Sequence, residues 1–133
     1  MIECMKRQLF DENFPASAVQ IIQQKVVSVA QVGANWGESG WLDQEQILPH
    51  LHGSRATFHT LDAGLFKRRY GHRDYCLVYY DVPEAELAKW VLKFLRHPRF
   101  NTHAKRLGKV VKVNPSKITY WEFREHRIKE IGW

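Results

Sequence analysis

Apolar positions along this 133-residue chain fall into short runs that alternate with stretches of helical spacing. Arg7-Gln8-Leu9-Phe10 reads as a short strand, closed by Asp11-Glu12-Asn13. Pro15, tolerated in a first turn, opens a helix whose apolar face is Ala18, Val19, Ile21 and Ile22. Val26, Val27 and Val29 form a second strand, and Gly33, Asn35, Gly37 and Gly40 mark the loop after it. Asp43 starts a second helix with Gln46 as its capping-box partner and Ile47, Leu48 and Leu51 inward; Pro49 keeps it short or kinked. Arg55 to Thr60 is a third strand, followed by Asp62, a short helix through Leu65 and Phe66, and a loop around Gly71. Tyr75 to Tyr80 is apolar on both faces, which suits a central strand. Asp81-Val82-Pro83-Glu84 opens the longest helix, with Leu87, Trp90, Val91, Phe94 and Leu95 at helical spacing. Lys109–Val113 and Lys117–Phe123 flank Asn114-Pro115-Ser116, so the chain closes in a hairpin.

Strand and helix alternate four times, the signature of a mainly parallel sheet between two helical layers, a three-layer α/β/α domain spanning residues 1–133. With 44% hydrophobic and 26% charged residues the chain has the composition of a folded domain. No stretch approaches the roughly 18 apolar residues of a membrane span, and no basic region followed by an apolar run stands at the N-terminus. Cys4 and Cys76 form no C-x-x-C pair and read as reduced thiols of a cytoplasmic protein. The net charge of +6 is uneven: residues 1–95 hold 10 Lys/Arg against 11 Asp/Glu, and residues 96–133 hold 10 against 3. Such a field suits a polyanion such as RNA, or equally a solvated basic face.

Ligands of parallel sheets bind outside the carboxyl ends of the strands. Asp11 follows strand one, Asp62 follows strand three, and Asp43 or Glu45 opens the helix after strand two. Carboxylates gathered at one sheet edge call for a cation, and oxygen-only ligands favour Mg2+ or Mn2+ over zinc. Each Asp on its own also reads as a helix cap.

These residues carry a resemblance. Leu9-Phe10-Asp11-Glu12-Asn13-Phe14-Pro15 is similar to the L-D-E-N-L-P opening of the PIN-like domain family of small bacterial proteins. Asp43-Gln44-Glu45-Gln46-Ile47-Leu48 resembles its D-E-E-I-L helix start, Thr60-Leu61-Asp62-Ala63-Gly64-Leu65-Phe66 its T-R-D-x-D-F segment, and the closing hairpin its V-V-x-V-x-P ending. The ordered set runs from Leu9 to Phe123. The resemblance implies a PIN-like fold and a Mg2+- or Mn2+-dependent ribonuclease, in related families often the toxin of a toxin–antitoxin pair with an antitoxin protein as partner. Asp11 and Asp62 fall on the family's first and third acids, and Asp43 or Glu45 on the second. Gly64 stands where the last acid of T-R-D-x-D-F falls, and Leu61 where its arginine does. That departure keeps open a second reading, a PIN-like module that binds nucleic acid or a protein without cutting, with Glu12 or Asp81 as substitute acids in the first.

Lys67, Arg68, Arg69 and Arg73 follow the third-acid segment, which predicts a basic cluster beside the metal edge that meets phosphates. Arg99, Lys105 and Arg106 form a second basic group. Trp36 and Trp41, in the glycine-containing loop, would stack on unpaired bases or pack on the domain or on a second copy in a homodimer. The seven histidines show no zinc spacing; His59, three residues before Asp62, lies nearest the expected rim.

Overall fold

A computed structural model describes residues 8–34 and 36–133. The strands are β1 (Gln8–Phe10), β2 (Val29–Gln31), β3 (Thr57–Thr60), β4 (Cys76–Tyr80), β5 (Val110–Val113), β6 (Ile118–Trp121) and β7 (Lys129–Ile131). The helices are α1 (Ala16–Gln23), α2 (Leu48–Leu51), α3 (Leu87–Arg96) and α4 (His103–Arg106), with a π-helical turn Asp43–Ile47 before α2. One seven-stranded sheet has the order β2-β1-β3-β4-β5-β6-β7. β1 to β5 run parallel, and β6 and β7 add antiparallel, so β4 is central as its two-sided apolar run predicts.

The period-2 alternation of a strand sorts the core into two layers. Phe10, Cys76, Val78, Tyr80, Val111 and Val113 face α1 and α3, packing on Val19, Ile22, Leu87, Val91 and Phe94. Leu9, Phe58, Leu77 and Val110 face the other way, onto Ile47, Leu48 and Leu51 of the α2 region and onto Leu65. Cys76 is fully buried, and burial pushes its thiol up to about 12, so it packs as an apolar side chain; Cys4 lies outside the described residues, as does Arg7.

Two element starts differ from the sequence reading, and one strand is added to it. The second strand starts at Val29, because Lys25 and Val26 donate their N–H groups to Ile22 at the end of α1 and Ser28 turns at φ 62°; Val27 is left 83% exposed. Gln46 caps one residue earlier than expected, its Oε1 accepting from the N–H of Leu42. β7 carries no apolar alternation; it is held by backbone pairing to β6 and by the ion pairs Lys117–Glu130 (2.8 Å) and Lys129–Glu122 (3.1 Å).

Candidate active site

Asp11 is the first residue past β1, and its backbone N–H donates to the His59 carbonyl at 2.9 Å as the last rung between β1 and β3. That rung brings the end of β3 alongside, so the Thr60 hydroxyl donates to Asp11 Oδ2 at 2.9 Å and accepts from the Asp62 N–H at 3.0 Å. One threonine therefore ties the two acids together. Asp62 in turn caps the turn Ala63–Leu65 by accepting from the Gly64 N–H at 2.8 Å. Gln31, ending β2, donates through Nε2 to the carbonyls of Asp11 (3.1 Å) and Phe14 (3.0 Å), fixing the turn that presents Asp11, Glu12 and Asn13.

Asp11 is only 6% exposed. Burial raises its pKa, the Thr60 hydroxyl and the backbone N–H groups of Asn13 and Glu12 pull it down, and the charge of Asp62 raises it again. A carboxylate in that position is one whose ionisation a cation would ease. Glu12 behaves differently. Its carboxylate accepts from the Ser39 hydroxyl and from the Gly40 N–H (2.8 Å), which hold its pKa down. Those bonds strap the glycine-containing loop over the strand ends, so Trp41 and Leu42 wall a recess of about 330 Å3 whose floor is Asp11, Asn13 and Asp62. Trp41 packs edge-on to Trp36 at 6.0 Å and tilted on His50 at 4.7 Å. Gly37 permits this seat: it takes φ 62°, and a Cβ there would lie 2.9 Å from the Trp41 ring.

The structure thus brings Asp11 and Asp62 to one recess at the carboxyl end of the sheet. Glu45 is exposed and does not line it, and the side chain of Asp43 lies outside the described residues. Asp81 is engaged elsewhere, with Lys112 (3.9 Å) and Asn114 (3.3 Å). Among the described residues no three His, Cys, Asp or Glu side chains converge as a metal cluster. Tyr79, unmarked in the sequence, has its phenol pKa raised by burial and by the charges of Asp81 and Asp62. Its signal was its position opposite Thr60 on β4.

His59 is not at the rim. It is fully buried on the α1/α3 side, stacked on Phe10 at 4.4 Å; Nδ1 accepts from the Tyr80 hydroxyl (2.8 Å) and Nε2–H donates to Gln8 Oε1 (2.8 Å).

The basic groups lie at the opposite end of the sheet from the acids. Arg68 donates Nε–H to the Glu125 carbonyl at 2.7 Å, and Arg68 and Arg69 line a recess with Gly71, Val110 and Trp121, where Val110 and Trp121 pair at the amino end of β5. Arg73 and Lys67 are exposed, and Arg73 lies close to Gly108, which precedes β5. The reason is topological: the segment from β3 to the parallel β4 must travel back the length of the sheet, and residues 67–73 lie on that return. Arg99 and Lys105 are exposed, with Lys105 Nζ donating to the Pro98 carbonyl at 2.8 Å. Arg106 is buried, donating Nε–H to Thr57 Oγ1 (3.0 Å) and Nη1–H to the Phe100 carbonyl (2.8 Å), so it is set apart from the exposed Arg99 and Lys105 and lines a cleft at the amino ends of the strands. No helix among the described residues is long and apolar enough to cross a membrane.

No family model, no curated protein and no solved structure matches this chain.

Proposed function

We propose that the chain is a PIN-like, Mg2+- or Mn2+-dependent ribonuclease acting in the cytoplasm, with Asp11 and Asp62 as its metal-holding acids. The observation that supports this reading is the Thr60 bridge, which sets a buried carboxylate and an exposed one against the same recess. The donor set suits a hard cation: it is all oxygen, and Mg2+ commonly keeps several waters while taking only one or two protein carboxylates. Bound there, such a metal would supply a water of lowered pKa and polarise a phosphodiester. The protein's own part is to orient Asp11 through Thr60 and the turn amides, whose hydrogen bonds oppose the upward pKa shift that burial imposes, and to offer the Trp41 wall to an unpaired base.

A second reading, a module that binds without cutting, draws on Gly64 and on Glu12, whose carboxylate is spent on Ser39 and Gly40. Calorimetry with Mn2+ and cleavage of single-stranded RNA separate the two. The nuclease reading expects metal binding and cleavage in the wild type and loss of cleavage in Asp11→Asn with the fold retained. A wild type that binds neither Mg2+ nor Mn2+ and cuts nothing, yet retains RNA, leaves the binding module.

A further inference from the structure

At the amino ends of β1 and β3, opposite the acids, lies a cleft of about 750 Å3 bounded by Gln8, the segment from α1 to β2, the end of α3, and α4. Its size falls in the range of small-molecule sites, roughly 300–1,000 Å3. Its walls are largely apolar, formed by Val26, Val27, Leu92 and Leu95, and Val27 leaves 83% of its surface in solvent although it is a large aliphatic residue. With the half-buried Val26 and Leu95 it gives the concavity a continuous apolar wall, the usual lining of a small-molecule site.

The charge in the cleft is all of one sign. Lys25, Arg96 and Arg106 line it, and no aspartate or glutamate does among the described residues. Arg106 is only 6% exposed; two of its nitrogens are used on Thr57 and Phe100, and neither partner carries charge. Its Nη2 has no hydrogen-bond partner, and the guanidinium has no carboxylate partner, among the described residues. Burial opposes its charge, as its lowered pKa records. Buried cations are ordinarily paired, and a guanidinium with an unused edge in an acid-free cleft calls for an anion.

We propose that this cleft binds an organic phosphate monoester, a nucleoside 5′-monophosphate or the 5′-phosphorylated end of an RNA strand, with the phosphate among Arg106, Arg96 and Lys25 and the base against the valine and leucine walls. Three cations without a counter-charge among the described residues match a group bearing about −1.5 to −2 at neutral pH better than a singly charged carboxylate. Inorganic phosphate would leave the apolar walls uncovered, and a free nucleoside would leave the cations unmatched. The site stands at the other end of the sheet from Asp11 and Asp62 and does not depend on any metal there.

The test is calorimetry of the full chain with adenosine 5′-monophosphate, adenosine, inorganic phosphate, and oligoadenylates bearing a 5′-phosphate or a 5′-hydroxyl. Binding of the monophosphate or of the 5′-phosphorylated oligomer is expected, with adenosine, inorganic phosphate and the 5′-hydroxyl oligomer each at least about tenfold weaker. Preference for the monophosphate identifies a free nucleotide as the ligand, and preference for the oligomer identifies a strand end. Arg106→Gln removes the buried charge but also two internal hydrogen bonds, so the decisive variants are the exposed Lys25→Ala/Arg96→Ala and Val27→Asp. Both are expected to weaken binding at least about tenfold with far-ultraviolet circular dichroism unchanged, while Asp11→Asn leaves it as in the wild type. Absence of binding by either phosphorylated ligand at millimolar concentration overturns the proposal, as does affinity unaltered in both exposed variants.

Discussion

Tyr80→Phe removes one oxygen from the core and keeps the ring that packs against Phe14, whose centroid lies 5.9 Å away. The oxygen removed is the donor to His59 Nδ1 at 2.8 Å, and Gln8 Oε1, an amide oxygen, fixes the proton of the imidazole on Nε2. Either tautomer of the mutant leaves one ring nitrogen without its partner in a residue with no solvent exposure. An orphaned buried polar atom costs about 1–3 kcal/mol. Unfolding entropy near 2.1 cal/mol/K per residue makes that a fall in Tm of about 4–11 °C for a chain of this length. Urea unfolding followed by tryptophan fluorescence measures the first quantity and a thermal scan the second. The double variant His59→Phe/Tyr80→Phe, which removes both partners, is expected to lose less than the sum of the single changes. Acid adds a second signature. Burial, and secondarily the charge of Arg106, hold the His59 pKa well below its ordinary value. The unfolded chain therefore takes up a proton near pH 6.5 that the folded one refuses, so this stability is present above that pH and is lost as the pH falls below it. At pH 5.5 the loss from this residue is at most about 1.4 kcal/mol, and it disappears in the double variant. A Tyr80→Phe protein within about 0.5 kcal/mol of the wild type refutes the bonding described.

Gly64→Asp sets a Cβ 3.0 Å from Asp62 Oδ1 and a second carboxylate beside it. Like charges about 5 Å apart repel by about 3 kcal/mol at an effective dielectric constant of 20, so the metal-free Tm should drop, and Mn2+ should raise it by more than in the wild type; an equal or smaller metal response counts against a cation between these acids. Gly37→Ala adds a Cβ at φ 62°, within 2.9 Å of the Trp41 ring. It should cost about 1–2 kcal/mol and red-shift tryptophan emission as Trp41 leaves the recess. Arg68→Glu/Arg69→Glu changes charge at the far end of the sheet, beyond a Debye length of about 8 Å, so Mn2+ affinity measured by calorimetry should stay within twofold, roughly, of the wild type.

The chain's own pattern determined the order of elements up to the closing hairpin, the central place of Tyr75–Tyr80, and the placing of Asp11 and Asp62 after the first and third strands. All of these follow from local chemistry: period-2 or helical spacing, turn residues, and the rule that acids after parallel strands share one sheet edge. The register decided the rest. Val26 and Val27 have the side chains of a strand, but the bonds that Lys25 and Val26 donate to the Ile22 carbonyl, just past α1, claim the backbone first, and Val27 becomes exposed cleft wall. Lys129–Ile131 has no strand pattern, yet β6 offers it an open edge to pair with. His59 lies three residues from Asp62 in sequence and on the opposite side of the sheet from the recess, because alternation along β3 turns its side chain under α1 and α3. Arg68 and Arg69 follow the third-acid segment closely and end at the far edge of the fold, carried there by the return that a parallel connection requires. Sequence proximity locates a residue on its element, while the face and end of the sheet it reaches are set by pairing with strands distant along the chain.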